Sequence, residues 1–202
     1  MDIRTRKLLD MDRAGEAREI MPDEKVPFEC GGCGGCCHHV EVPLTDHDLR
    51  QIAAHFQVTP RDFMARYGEF TAWNGFLPVA KLKFLPDGSC PFLKPNGHCA
   101  VHPARPLACR LFPYARIATA DGRSRWFKLG ESRHSGCPSG PGTPRRTVTE
   151  YLENQQAAPA LAAEDAFITR CREILARSGP FDLLEELMAF RSRVRELYGD
   201  VW

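Results

Sequence analysis

The sequence lacks the long apolar runs and the excess charge that are typical of membrane and nucleic-acid-binding proteins. No stretch of about 18 apolar residues occurs, and residues 1–10 contain no apolar run of signal-peptide length. The 27 Lys and Arg residues nearly balance the 26 Asp and Glu residues, so the formal net charge is only +1. This balance gives no electrostatic argument for nucleic acid or a membrane surface. We therefore expect a soluble, cytoplasmic protein without a membrane partner.

Several sequence motifs of enzymes are also absent. The chain shows no Ser-His-Asp order, no paired-carboxylate motif and no internal repeat. The glycines between Gly31 and Gly35 form no G-x-G-x-x-G register after a strand, so they give no argument for a dinucleotide or methyl-donor fold. The sequence thus indicates no catalytic residues and leaves open whether the protein is an enzyme.

Cysteine, by contrast, is abundant and clustered. Residues 30–37 read C-G-G-C-G-G-C-C, which places four thiols in eight positions. Glycine adopts backbone angles that a Cβ forbids, so such a loop can point several sulfurs at one centre. A chain of 202 residues does not need disulfides to fold, cytosolic thiols are kept reduced, and a bridge between adjacent Cys36 and Cys37 would be strained. We therefore predict metal binding or redox chemistry rather than a disulfide framework.

Eight of the nine cysteines lie within residues 30–137, twice the number that one zinc ion or one cubane iron–sulfur cluster takes. The C-x2-C-x2-C run resembles the start of a bacterial ferredoxin motif, but the next cysteine is not in the ferredoxin position. Zinc ribbons need a second spaced pair, which Cys36 and Cys37 do not supply. The spacing leaves open zinc or iron, including a 4Fe–4S cluster, and one centre or two. The predicted metal ligands are Cys30, Cys33, Cys36, Cys37, Cys90, Cys99, Cys109 and Cys137.

Arginines close to these cysteines are candidates for supporting the centre. Four thiolates around a divalent ion or a cubane carry a net charge of about −2, which burial makes costly. Arg105, Arg110 and Arg116 could compensate this charge and donate hydrogen bonds to sulfur, or could instead pair with carboxylates.

Four histidines near the cysteines could replace a thiolate, since imidazole suits zinc and iron. They are His38, His39, His98 and His102. For His38 and His39 we favour exposure to solvent, and His47, His55 and His134 are interpreted as surface residues. The ninth cysteine, Cys171, lies on the apolar stripe of a predicted helix, which indicates core packing.

Start and stop signals along the chain predict an α+β fold. Thr45 with Asp48, and Thr59 with Pro60, are typical of helix N-termini. Strands are predicted over residues 40–44, 76–85, 116–120 and 124–129, the last two joined by a turn at Asp121-Gly122. Apolar residues at helical spacing predict two or three helices near the C-terminus.

The predicted domain organisation has three parts. Residues 1–25 form a segment that is either mobile or helical. Residues 26–140 form a small, irregular, metal-stapled cysteine domain with short strands and helices, since five prolines exclude a continuous helix between Cys90 and Pro113. Residues 141–202 form an extension of amphipathic helices that packs on the cysteine domain or on a protein partner.

At this point the sequence resembles a known family, the YkgJ-type CxxCxxCC proteins, which are described as zinc- or iron-chelating domains. The resemblance covers about residues 28–137. It rests on Phe28-x-Cys30-x2-Cys33-x2-Cys36-Cys37, Leu44-Thr45-x2-Asp48-Leu49, Gly88-x-Cys90-Pro91-Phe92-Leu93, Gly97-x-Cys99-x-Val101-His102-x2-Arg105-Pro106-x2-Cys109-Arg110-x-Phe112-Pro113 and Cys137. The resemblance implies that the cysteines bind zinc or iron, with an iron–sulfur cluster as one form, and it brings no settled activity.

Three functional hypotheses follow. The leading one is a cytoplasmic metal-binding protein whose centre also staples the fold. The second is an iron–sulfur-dependent redox or group-transfer enzyme, because a related cysteine pattern is similar to that of flagellin lysine N-methylase. The third is a metal chaperone or sensor that acts through the helical tail. In each case we expect the Cys30–Cys37 loop to be closed by the Cys90–Cys109 segment and by Cys137.

Overall fold

A computed structural model describes residues 3–73, 77–119, 121–130, 136–177 and 183–199. The predicted surface residue His134 and two ends of predicted strands, Phe76 and Ala120, lie outside the described residues. Within those ranges the chain forms an α+β fold, as the sequence predicts.

Helices form where the capping signals place them. Helix α2 begins after Thr45, whose hydroxyl accepts the Asp48 N–H while the Asp48 carboxylate accepts the Thr45 N–H. Helix α3 begins after Thr59 with proline at its first position. The helices are α1 (Ile3–Arg13), α2 (Asp46–His55), α3 (Pro60–Tyr67), α4 (Leu107–Leu111), α5 (Val148–Asn154), α6 (Ala158–Arg177) and α7 (Leu183–Tyr198). None of these helices, as far as their residues are described, is long and apolar enough to span a bilayer.

Three small antiparallel sheets connect distant parts of the chain. The first has the order β1-β7-β6, the second pairs β2 with β8, and the third has the order β3-β5-β4. The strands are β1 (Ala17–Ile20), β2 (Val26–Pro27), β3 (Pro43–Leu44), β4 (Gly68–Trp73), β5 (Leu77–Leu82), β6 (Tyr114–Ala118), β7 (Ser124–Leu129) and β8 (Arg145–Arg146). The β6–β7 hairpin confirms the predicted strand pair around Asp121-Gly122.

Two elements differ from those that the sequence predicts. The strand predicted over residues 40–44 is reduced to Pro43–Leu44, and the chain passes through a positive φ of 50° at His39, four residues before that strand. The N-terminal segment contains a strand as well as a helix, since Ala17–Ile20 pairs with Trp126–Leu129. That pairing spans more than a hundred residues and has no signal in the local pattern.

The apolar side chains form two cores. The first core lies around α2, α3 and the β3-β5-β4 sheet, and it includes Phe167, Cys171 and Ile174 of α6 and Val194, Leu197 and Tyr198 of α7. Tyr198 joins α7 to this sheet, because its hydroxyl accepts the Ala80 N–H at 2.7 Å and donates to the Leu44 carbonyl at 3.2 Å. The second core contains Phe28, Trp126 and Tyr151. Cys90 belongs to the first core and Cys137 to the second, so the cysteine segments lie where the two cores meet.

Candidate metal centre

The cysteine loop has the sharp backbone turns that its glycines predict. Gly32 and Gly34 have φ angles of +63° and +74°, and a short 3-10 helix, Gly35–Cys37, follows. A Cβ on Gly34 would lie 2.9 Å from Leu93 Cδ1 and 3.1 Å from the Gly97 carbonyl oxygen. The loop is therefore seated directly against the 90–99 segment, and only glycine allows this approach.

The 90–99 segment closes one side of the loop. The Cys90 N–H donates to the Cys37 carbonyl at 2.8 Å, and Leu93 pairs with Cys99 in an isolated bridge. Helix α4 carries Cys109 to the same cavity. We call the five cysteines on this side the inner group. They are Cys36, Cys37, Cys90, Cys99 and Cys109.

The segment around Cys137 closes the other side. The Glu29 N–H donates to the Pro138 carbonyl at 3.1 Å, which lays the two chains side by side. Cys33 Sγ lies 3.6 Å from Cys137 Sγ. A Cβ on Gly136 would lie 2.6 Å from Cys33 Cβ, so glycine is required for this contact. We call Cys30, Cys33 and Cys137 the outer group. Cys30 and Cys33 are exposed, and Cys137, which contacts Cys33, is buried.

The adjacent thiols of Cys36 and Cys37 have pKa values shifted in opposite directions. The hydrogen bond from Cys37 lowers the pKa of Cys36 to about 7, and the positive charge of Arg105 acts in the same direction. The same hydrogen bond, together with burial and the neighbouring thiols, raises the pKa of Cys37. Adjacent positions in the sequence thus provide two chemically different sulfurs.

Burial disfavours the thiolate form of the remaining inner cysteines. It raises the pKa of Cys90, Cys99 and Cys109, and the neighbouring thiols raise each further. In the outer group, burial and the Cys33 thiol raise the pKa of Cys137 to about 11. Buried thiolates need a nearby cation, so this donor set fits a bound metal that would supply the missing positive charge.

Arg105 is the arginine that faces the thiols. Its charge opposes the rise in the pKa of Cys99 and Cys109. Its Nη1 donates to His102 Nε2 at 2.9 Å and its Nη2 donates to the Gln155 side chain. Its Nε is buried and has no hydrogen-bond partner within the described ranges. Arg105 therefore remains a candidate for compensating thiolate charge.

The other two candidate arginines have different roles. Arg110 donates to three backbone carbonyls, at 2.8 to 3.0 Å, and so fixes loops around α4. Arg116 forms ion pairs with Glu164 at 3.1 Å and with Asp165 at 2.5 Å. For Arg116 the alternative interpretation, pairing with carboxylates, is confirmed.

The histidines surround the loop at different places. The exposed ring of His98 lies against Gly32, where an added Cβ would be 3.3 Å from both Cε1 and Nδ1 of the imidazole. His102 accepts the hydrogen bond from Arg105. The exposed residues His38 and His39 lie beside Ser89 and Gly88, on the strand-like edge of the 88–90 segment.

Asp48 positions helix α4 as well as capping α2, the role that the sequence predicts. Asp48 is 4% exposed, and its Oδ1 accepts the Leu107 N–H at 2.8 Å while Oδ2 accepts the N–H and hydroxyl of Thr45. The carboxylate therefore ties α2 to the first residue of α4, the helix that carries Cys109. The capping box was the signal in the sequence, but it could not reveal a contact 59 residues away.

All eight predicted ligands line one cavity of about 850 Å³. The ninth cysteine, Cys171, is absent from its wall and is fully buried in the first core, as its apolar stripe predicts. No three His, Cys, Asp or Glu side chains converge as metal ligands anywhere in the part of the chain that the structure describes. The backbone thus brings the eight cysteines to one cavity, and their side chains would have to rotate to coordinate a metal ion together.

Comparison with known proteins yields two matches. A family model named CxxCxxCC, described as "Putative zinc- or iron-chelating domain", matches residues 29–135, which is more than half of the chain. An uncharacterized protein of Methanocaldococcus jannaschii is 35% identical over 107 residues, covering 48% of this chain. The chain spans 55% of the length of that relative. No solved structure matches.

Proposed function

We infer from the family to which this chain belongs, the zinc- or iron-chelating CxxCxxCC family, that its clustered cysteines bind zinc or iron. The observation that carries this proposal is that eight cysteines, from segments as distant as residues 30 and 137, line one cavity. Packing of an apolar core does not require so many cysteine thiols in one place. The proposal places the protein in a reducing compartment such as the cytoplasm, where the thiols stay available.

Donor chemistry supports zinc or iron over the hard cations. Thiolates are soft ligands that select zinc, iron–sulfur clusters or Cu(I), whereas calcium and magnesium require oxygen. A tetrahedral zinc with bonds of about 2.3 Å separates its sulfurs by about 3.8 Å. The 3.6 Å between Cys33 Sγ and Cys137 Sγ is close to this edge. A cubane cluster, whose cysteine sulfurs lie farther apart at its corners, is the alternative for the inner group.

The proposal is tested by purifying the full chain anaerobically and measuring bound zinc, iron and sulfide, with visible and EPR spectra. Cys33→Ala, Cys90→Ala and Cys137→Ala each remove one proposed ligand, and we expect each to lose bound metal. Cys171→Ala is the matched control, because it removes a thiol that lies in the apolar core away from the cavity. We expect this control to keep the metal content of the unmodified protein.

The outcomes separate the alternatives. Stoichiometric zinc in a colourless protein supports mononuclear sites, and iron matched by sulfide supports a cluster. An ion that exchanges rapidly with added chelator supports a chaperone or sensor. A folded, reduced protein that binds neither metal, or cavity variants that retain metal as well as Cys171→Ala does, would contradict the proposal.

A second candidate function, redox or group-transfer catalysis, is favoured by the cavity itself. Its volume of about 850 Å³ falls within the range of small-molecule sites, and apolar residues such as Phe92, Leu111 and Phe167 contribute to its wall. A metal there would supply an electrophilic or redox-active centre, while the chain would bind and orient the substrate. S-adenosylmethionine is the first ligand to test, by calorimetry on the metal-loaded protein.

A further inference from the structure

We propose that the eight cysteines divide into two separate metal centres and that His98 completes the outer one, together with Cys30, Cys33 and Cys137. This inference rests on the proposed function, because it concerns how the same cysteines share their metal. It assigns a Cys3His site to the exposed face of the loop and leaves the inner group to form the second centre.

The division follows from the way the loop is closed. The inner group is joined by the hydrogen bond between Cys90 and Cys37 and by the bridge between Leu93 and Cys99. The outer group is joined by the hydrogen bond between Glu29 and Pro138 and by the sulfur contact between Cys33 and Cys137. The contact of Cys90 with Cys37 lies at the C-terminal end of the loop, beside the 3-10 turn, and the contact of Cys137 with Cys33 lies before that turn. The fold therefore already brings different distant cysteines to the two parts of the loop, as two centres require.

Ligand counting then leaves the outer group incomplete. A closed tetrahedral zinc site takes four Cys or His ligands, and the outer group supplies three thiolates. The inner group already has five cysteines, so it needs none of the outer ones. A fourth donor at the outer face has to come from a neighbouring side chain or from outside the protein.

His98 is placed to be this donor. It follows a tight turn in which the Gly97 N–H donates to the Lys94 carbonyl at 2.9 Å and Gly97 has a φ of +82°. This turn lies against the cysteine loop, because a Cβ on Gly97 would be 3.2 Å from the Gly32 carbonyl oxygen. The imidazole itself lies over Gly32, between Cys30 and Cys33 in the chain, and its exposure leaves it free to rotate toward an ion.

The other histidines are less suited to this position. His102 accepts the hydrogen bond from Arg105, so its Nε2 is already engaged. His38 and His39 follow the inner end of the loop and lie beside Ser89 and Gly88. His55 is the appropriate control, because it is an exposed residue of α2 that does not line the cavity.

The test uses the metal-free full chain and Co²⁺ as a probe whose visible spectrum reports the number of thiolate ligands. We expect two Co²⁺ per chain, one with mixed sulfur and nitrogen ligands. His98→Ala should weaken the second binding event by at least about tenfold, the size of loss that even a partner of a metal ligand causes. Added imidazole should restore it by occupying the vacated position. His98→Cys should keep two Co²⁺ and increase the sulfur-to-cobalt charge-transfer absorption, and His55→Ala should behave like the unmodified chain.

Each outcome has a defined meaning. Binding of one Co²⁺ per chain overturns the division into two centres. Two Co²⁺ with the same affinity and spectrum in His98→Ala overturn the role of His98. A folded chain that takes up no Co²⁺, zinc or iron instead contradicts the proposed metal-binding function itself. Melting curves of the metal-free variants exclude misfolding as the cause, and the exposed position of His98 favours normal folding.

Discussion

At the scale of single residues, the centre depends on glycines that let chain segments touch. Gly34 and Gly136 do this on the two sides of the loop, where a Cβ would meet Leu93 and Cys33 respectively. The sequence predicts the importance of the glycines between the cysteines, because they lie within the motif. No local sequence pattern predicts the importance of Gly136, because its contact Cys33 lies about a hundred residues earlier in the chain.

We predict that Gly136→Ala separates Cys33 from Cys137. The added Cβ would lie 2.6 Å from Cys33 Cβ and 2.8 Å from its Sγ, so one of the two segments has to move. Overpacking of this kind costs about 1–3 kcal/mol. Urea unfolding of the metal-loaded protein and its metal content measure the effect, and both should fall.

Gly140→Ala is the control for this change. Gly140 lies in the same segment, and a Cβ there meets no atom within 4 Å. We expect its unfolding free energy to change by no more than about 0.5 kcal/mol. Equal effects of the two substitutions would mean that the contact between Gly136 and Cys33 is unimportant.

At the scale of elements, the short helix α4 depends on a contact with α2. Five residues cannot form a stable helix alone, and α4 has no side-chain cap of its own. The Asp48 carboxylate supplies an acceptor for its Leu107 N–H. Burial raises the pKa of Asp48, while the donors from Thr45 and Leu107 oppose that rise. The carboxylate thereby holds in place the helix that carries Cys109.

We predict that Asp48→Ala destabilises the protein by about 3 kcal/mol, because it leaves buried donors on Thr45 and Leu107 without an acceptor. Asp48→Asn should cost less, since its amide oxygen still accepts one N–H. Asp62→Ala is the matched control. Asp62 accepts the hydroxyl of the cap residue Thr59, as Asp48 accepts that of Thr45, but Asp62 is exposed. It should cost about 1 kcal/mol, typical of a lost cap interaction.

Urea unfolding measures the stabilities, and metal analysis shows whether the inner group loses its ion. If Asp48→Ala and Asp62→Ala lower stability equally, the tie to α4 contributes nothing. If Asp48→Ala lowers stability but leaves metal content unchanged, Cys109 does not depend on this tie.

The elements also show what a single sequence can predict. Helices α2 and α3 follow from Thr caps and the hairpin β6–β7 from Asp121-Gly122, because these signals act within a few residues. The pairings β1–β7 and β2–β8 join residues about 110 to 120 positions apart, and no local signal encodes them. The same holds for the site. The spacing predicts the eight cysteines as ligands, whereas their division into inner and outer groups depends on tertiary contacts.

At the scale of the whole molecule, the cysteine cavity is lined by residues of two apolar cores. The first core has large aromatic side chains such as Phe63 and Phe92, and Tyr198 fastens α7 to its sheet. The second core is smaller and includes Cys137. The cysteine loop touches both sides through Cys37 with Cys90 and Cys33 with Cys137. A bound metal would therefore link two packing units as well as order the loops.

We predict that removing metal with a chelator loosens this link without unfolding the helices of the first core. Hydrogen exchange should accelerate in residues 30–37, 88–99 and 136–138, since few regular backbone hydrogen bonds protect these segments. Residues 158–177 should stay protected, because they form the continuous helix α6, whose Phe167, Cys171 and Ile174 are buried in the first core. Mass spectrometry of the chelator-treated and metal-loaded protein measures both effects, with Cys171→Ala as a control that keeps its metal. Uniform acceleration across all segments would mean that metal holds the entire fold, and unchanged exchange in the loops would mean that it does not staple them.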